Sequence, residues 1–296
     1  MQTDKKNKLF YLSIGGNDED WGIVVTTVGS QTILPRAHYP QGQHPNNYLF
    51  TPDEGRVLNE YQLVYITNGS GWFSSQHSKT KQKVTAGTMI LIFPGVWHSY
   101  APDFSTGWDE YWVGFRGIHI DNRVNKGFFS PKDPLHTIGI NSSIVGVYED
   151  IIQIAQQEKA GYQQMISSIV LSILGTVYYK SKNEQYTDNI IVDKINQARS
   201  IIKNNTESIL SQEDIAKQLG LGYSWYRRMF KEYTGVSPVQ YYHQQKLMKA
   251  KEMLTTTKKN ISEIAYSLYF ENVGQFSTFF KKKEGITPSE FRNRIH

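Results

Sequence analysis

An α+β, multidomain fold is predicted by three observations. Residues 1–120 hold short β-rich runs punctuated by glycine and proline, residues 141–180 switch to a helical hydrophobic period, and residues 190–296 contain one helical motif written twice. The expected architecture is an N-terminal β-barrel (1–140), a helical hairpin (141–180), a linker (181–189) and an all-α domain with two helix-turn-helix motifs (190–296). At 296 residues the chain exceeds one ordinary core, and 39% hydrophobic against 20% charged residues suits folded domains. Cysteine is absent, which excludes disulfides, thiolate nucleophiles and Cys-held metals.

The β reading rests on runs at 21–28, 61–67, 89–93 and 110–115. They are separated by turn signals at Asn68-Gly69-Ser70-Gly71, Ala86-Gly87 and Pro94-Gly95. Ile144, Val147, Tyr148, Ile151, Ile152 and Ala155 then follow helical spacing, and after Ala160-Gly161 the pattern resumes from Tyr162 to Val177. The second helix has an apolar surface wide enough to cover the barrel. Whether it also pairs two subunits is open on spacing alone; the expectation adopted is that it does, giving a homodimer. The polar stretch SKNEQYTDN (181–189) lacks periodicity and is expected to be a flexible linker. The apolar runs 9–14 and 165–179 are too short for a leader or a membrane span, so a soluble, cytoplasmic protein without a membrane partner is expected.

Net charge is +5, divided as −1 over residues 1–186 and +6 over 187–296. Such asymmetry suits a polyanion-binding C-terminal module, or simply a soluble basic domain. The repeat is more specific. Asp214-Ile215-Ala216 and Leu219 correspond to Glu263-Ile264-Ala265 and Leu268. Phe230-Lys231, Gly235, Val236-Ser237-Pro238 and Tyr241 correspond to Phe280-Lys281, Gly285, Ile286-Thr287-Pro288 and Phe291. The offset grows from 49 to 50, so the second copy has one extra residue in its turn. Each copy reads as helix, tight turn, helix, glycine C-cap, then Ser/Thr-Pro opening the next helix.

In the first copy Tyr226, Met229, Phe230 and Tyr233 share one helix face, and Ser224, Arg227, Arg228 and Lys231 share the opposite one. In the second, Phe276, Phe279 and Phe280 face inward while Gly274, Gln275, Thr278 and Lys281 face outward, followed by Lys282 and Lys283. Arginine can pair guanine O6 and N7, glutamine can pair adenine, and lysine neutralises phosphate. The expected partner is therefore double-stranded DNA.

The runs LSQEDIAKQLGLGYSWYRRMFKEYTG (210–235) and ISEIAYSLYFENVGQFSTFFKKKEGITP (261–288) resemble the DNA-binding domain of the AraC/XylS family of bacterial transcription regulators. The resemblance implies two recognition helices in successive major grooves, joined by a long helix over about 238–255. Many members have arginine where Thr278 stands, so the second copy is expected to read fewer bases directly and to lean on phosphate contacts and DNA shape. RNA polymerase is a further candidate partner.

Residues 55–73, 86–103 and 107–117 resemble the cupin-like ligand-binding domain of sugar-responsive members of that family. That likeness implies a small-molecule effector, a monosaccharide such as arabinose or another neutral sugar, with contacts at Asn68, Tyr100, Glu110 and Trp112. Trp72 and Trp108 are further candidates, and each aromatic could equally be barrel packing. An N-terminal arm over the pocket is expected by analogy. Glu110 and Trp112 lie two apart, hence on one strand face. No metal, cofactor or catalytic residue is expected: His98 lacks a His-x-His partner, and His77 and His119 stand alone. His98 is expected to be structural. A carbohydrate-modifying enzyme tethered to DNA, and an empty barrel serving only dimerisation, stay open as alternatives.

Overall fold

The computed structural model describes residues 7–41, 45, 48–184 and 189–294, in two compact units that divide between residues 185 and 186. In the first unit, β1 (Lys8–Tyr11) and a single turn, α1 (Gly16–Glu19), lead into β2 (Val24–Ile33). Strands β3 (Tyr61–Ser75), β4 (Ser78–Thr85), β5 (Thr88–Ile92), β6 (His98–Pro102) and β7 (Trp108–Arg116) follow. Helix α2 (Ile118–Asn125) and β8 (Leu135–Thr137) connect to the hairpin α3 (Ser142–Gln157) and α4 (Tyr162–Glu184). All strand pairs are antiparallel, in the order β1-β2-β7-β3-β5-β8, and the far half of β3 pairs with β4 and β6. β3 thus serves both sheets of a cupin-like barrel.

That double duty corrects one expectation. Asn68-Gly69-Ser70-Gly71 is not a turn but the middle of β3. A bulge between Ile66 and Asn68 and a φ of +79° at Gly69 bend the strand from one sheet to the next. At Gly71 a Cβ would lie 2.2 Å from the Ala101 carbonyl oxygen, so glycine is needed for close packing there. β2 also starts later than expected, because Gly22 turns the chain at φ +83° before Val24. Strands β1, β4, β6 and β8 escaped the sequence reading, being short or, like the lysine-rich β4, polar along an edge.

Alternation along the central strands creates two distinct faces. Tyr61, Leu63 and Tyr65 of β3, with Tyr111, Val113 and Phe115 of β7, pack beneath Tyr148, Ile151, Ile166 and Val170 of the hairpin. Val64, Ile66, Trp108 and Trp112 point to the opposite, interior side. The Tyr148 hydroxyl donates to the Leu63 carbonyl at 3.0 Å, and Asn141 caps α3 by accepting from the Ser143 and Ile144 N–H groups. Buried Gln163 of α4 clasps β2 beside its bulge, accepting from Val25 N at 3.1 Å and donating to Val25 O at 2.9 Å. The hairpin is therefore fastened to the barrel by hydrogen bonds as well as by apolar area. The outer side of α4 exposes Met165 and Tyr179, with Ser168, Ser172 and Gly175 between them. Helix α4 runs on through Glu184, so the first four residues of the expected linker are helical; no glycine or proline interrupts them. Residues 185–188 lie outside the described residues.

The second unit comprises α5 (Asn189–Asn204), α6 (Gln212–Gln218), α7 (Tyr223–Thr234), α8 (Pro238–Thr256), α9 (Ile261–Ser267), α10 (Val273–Glu284) and α11 (Pro288–Asn293). It has two cores. Ile195, Ala198 and Ile202 of α5 pack with Ile215, Tyr226, Phe230 and Tyr242, while Ala250, Met253 and Leu254 at the far end of α8 pack with Ile264, Leu268, Phe276 and Phe280. Among the described residues no helix is long and apolar enough to cross a membrane.

Candidate DNA-binding helices and ligand cavity

Each helix-turn-helix is built from the local chemistry its repeat encodes. Ser211 caps α6 by accepting from Asp214 N; Asn260 caps α9 in a reciprocal box with Glu263. Helices α7 and α10 both end on glycines in the left-handed region, Gly235 at φ +80° and Gly285 at φ +82°. Ser237 and Thr287 then form capping boxes with Gln240 and Glu290, with Pro238 and Pro288 in the first turn. The Thr287 N–H and hydroxyl hold the Glu290 carboxyl below its ordinary range.

On α7, Tyr226 and Phe230 are buried, Met229 and Tyr233 half-buried, and Ser224, Arg227, Arg228 and Lys231 exposed. On α10, Phe276 and Phe280 are buried, and Gly274, Gln275, Thr278 and Lys281 are exposed. Gln275 is less free than its exposure suggests. Its Oε1 accepts from Glu271 N at 3.0 Å while its own N–H donates to Asn272 Oδ1 at 2.8 Å. A bidentate pair with adenine therefore requires this side chain to leave its place at the helix entrance.

In the first unit a cavity opens on the interior face of β2, β3 and β7. Tyr100, Glu110 and Trp112 line it, together with Thr27, Arg56, Gln62 and Val64, and Tyr11, Tyr39, Tyr48 and Phe50 close over them. Its free space is about 30 Å³, room for a water or two. Arg56 donates to the Tyr100 hydroxyl at 2.8 Å, to the Tyr48 carbonyl and to His98 Nε2 at 3.3 Å, and its guanidinium stacks 4.6 Å from the Phe50 centroid. Buried His98 passes its Nδ1–H to the Val96 carbonyl at 3.0 Å. Burial, then the Arg56 charge, drives its pKa down to about 3, so the ring is a neutral acceptor for Arg56.

Glu110 is fully enclosed and its Oε2 has no hydrogen-bond partner. Burial pushes its pKa up to about 8, outweighing the opposing influence of Arg56, Tyr39 and Trp108. Because the folded state holds this proton more tightly than the unfolded one, its stabilising contribution is full below the ordinary carboxylate range and fades as pH rises toward about 8.

Two expected contacts fall elsewhere. Asn68 is exposed beyond the β3 bulge, where the register shift breaks the alternation that would have carried it inward from Val64. Trp72 sits on the outer side, opposite in phase to buried Phe73, with the Lys81 ammonium 3.8 Å from its ring centroid. Trp108 is buried but packs behind the cavity, edge-on to Tyr39 at 5.9 Å. Of the expected arm, residues 1–6 lie outside the described residues; β1 pairs with β2 and brings Tyr11 to the cavity.

Residues 37–174 match the profile described as an AraC-like ligand binding domain, and residues 215–294 match that of a helix-turn-helix domain. The chain belongs to the AraC/XylS family. Similar proteins are operon regulators by name, two of them of a lactose and a raffinose operon. The Msm operon regulatory protein of Streptococcus mutans is 25% identical over 87% of this chain and 92% of its own. The lactose operon transcription activator of Staphylococcus xylosus is 27% identical over 81% and 86%. A solved transcriptional regulator with an AraC-type DNA-binding domain from Chromobacterium violaceum is 33% identical, covering 35% of this chain and 92% of that one, with a TM-score of 0.33.

As in the AraC/XylS family generally, the C-terminal unit is a DNA-binding, double helix-turn-helix domain, and the N-terminal unit is a ligand-binding domain. Sequence reasoning missed Thr27, Arg56 and Gln62 in the cavity. A usable signal was present for one of them: Gln62 is the one polar residue in the otherwise apolar first six residues of β3. Thr27, in a strand of mixed polarity, and Arg56 with the tyrosines of the preceding loop carry no such signal.

Proposed function

We propose that this protein is a homodimeric transcription regulator of a sugar-utilisation operon, controlled by a neutral sugar in the barrel. DNA is read by Ser224, Arg227, Arg228 and Lys231 of α7 and by Gly274, Gln275, Thr278 and Lys281 of α10. The observation that carries this reading is the pair of duplicated helices whose cationic faces are exposed while their aromatic faces form separate cores. The lactose and raffinose operons named for two similar regulators, the aromatic cavity and the unpartnered Glu110 oxygen support a sugar as the effector. The exposed Met165 and Tyr179 on the outer side of α4 support subunit pairing there.

Because the cavity is nearly filled by its own side chains, sugar entry must displace part of the aromatic cover. A state so changed can bias the DNA-binding units through the dimer. The test is promoter binding by fluorescence anisotropy with and without a panel of neutral sugars, alongside thermal shift. One sugar is expected to raise the melting temperature of the first unit and to alter DNA affinity by about 5- to 150-fold. A panel that moves neither quantity overturns the sugar reading and leaves the DNA reading standing.

A further inference from the structure

Strand register gives the cavity two polar ends. On β7, Glu110 lies opposite Gln31, Trp112 opposite Gly29, and Gly114 opposite Thr27. On β3, Trp112 faces Val64 and Gly114 faces Gln62. Glu110 and Gly114 are four residues apart, so the two ends lie about 13 Å from one another along the ladder.

At one end the unpartnered Glu110 Oε2 meets Tyr39 and the Arg56–Tyr100 pair. At the other, a Cβ on Gly114 would lie 2.4 Å from both Glu60 Oε1 and Thr27 Oγ1, which places these oxygens together. Gln62 donates to Glu60 Oε1 at 3.0 Å and Tyr48 to Oε2 at 3.1 Å. The Thr27 hydroxyl, 1% exposed as a residue, has no partner. Between the ends the Trp112 indole lies across Gly29, so close that a Cβ there would be 2.3 Å from Cζ2. A flat aromatic floor is thus flanked by two buried oxygens that lack hydrogen bonds, each carrying a cost that a ligand hydroxyl can relieve.

We propose that the effector is a disaccharide or a longer neutral saccharide. One ring hydrogen-bonds Glu110, the chain crosses Trp112, and a second ring hydrogen-bonds Thr27 and Gln62. A single pyranose or pentose satisfies one end and leaves the other orphaned. This proposal rests on the sugar reading of the barrel and adds the length of the ligand and the residues that measure it.

The test is isothermal titration of the full chain with lactose, melibiose and raffinose against galactose and glucose. At least one of the three larger sugars is expected to bind 30-fold or more tightly than either monosaccharide. Thr27→Val, which removes a hydroxyl that has no partner and so should still fold, is expected to cut the ratio of disaccharide to monosaccharide affinity at least tenfold. A monosaccharide that binds as tightly as its disaccharide, or a Thr27→Val ratio equal to the wild-type value, overturns the two-ended site while sparing the sugar reading. Absence of binding by all five sugars, with the thermal-shift panel also silent, overturns both.

Discussion

Helix α7 follows a four-residue turn ending in Gly222, which offers no side chain to the helix; α10 follows a five-residue turn ending in Asn272, whose Oδ1 accepts from Gln275 N. The first turn takes its left-handed step at Gly220, φ +66°, and the second at Tyr269, φ +55°. The extra residue thus comes with a side-chain cap and a strained tyrosine in one copy, against glycines in the other. The consequence reaches the surface. Copy two keeps Gln275 occupied at the helix entrance and sets Lys281, Lys282 and Lys283 in the last turn of α10, where the helix dipole favours cations. Copy one leaves Arg227 and Arg228 exposed at mid-helix. The comparison teaches that duplicating a fold does not duplicate its exposed chemistry: copy one presents two arginines at mid-helix, copy two three lysines in its last turn.

The separate cores offer the harshest test. Phe230→Ala and Phe280→Ala each remove a fully buried ring and should cost about 3–5 kcal/mol. Amide exchange should speed up in α6–α7 for the first and in α9–α11 for the second; uniform exchange in both variants would merge the two cores into one. Next in size, Arg228→Ala should weaken binding to a selected site by about 1–3 kcal/mol and relax one base position, while Thr278→Ala at the matching place should cost less than about 1 kcal/mol. Equal losses, or an Arg228→Ala loss that persists on random DNA, would remove the distinction drawn between the copies.

Asn272→Ala should lower stability by about 1 kcal/mol by uncapping α10, measured by urea denaturation. Lys281→Gln should reduce the slope of log affinity against log salt by about 1, with little change in base preference. The smallest effect belongs to Tyr269→Gly. Relief of a left-handed tyrosine is offset by the entropy of the freed chain, so a gain of no more than about 1 kcal/mol is expected. A loss instead would mean that the half-exposed ring packs more than its backbone strains.

Legibility followed locality. The caps at Ser237 and Thr287, the terminal glycines and the extra turn residue are all set within a few positions of chain, and the repeat shows them without a structure; Ser211 and Asn260 cap just as locally but were found only in the structure. In the barrel the run 110–115 was visible as a strand, yet Asn68, a contact implied only by the family resemblance and set in a stretch read as a turn, proved to lie exposed within β3. A bulge is invisible to period-two counting, and one register shift exchanges inside for outside. Arg56 was missed because its partners Tyr48, His98 and Tyr100 come from separate segments of chain.

The sequence by itself determined the two-part architecture, the duplicated helix-turn-helix and which side chains each recognition helix exposes. Period, capping and turn chemistry are short-range and survive in one dimension. Only the tertiary structure decided which polar groups meet in the barrel. The bend of β3, the crossing of Trp112 over Gly29 and the burial of Glu110 with its unpartnered Oε2 depend on how distant strands align. The free energy of a buried polar atom is set by neighbours that chain order does not disclose.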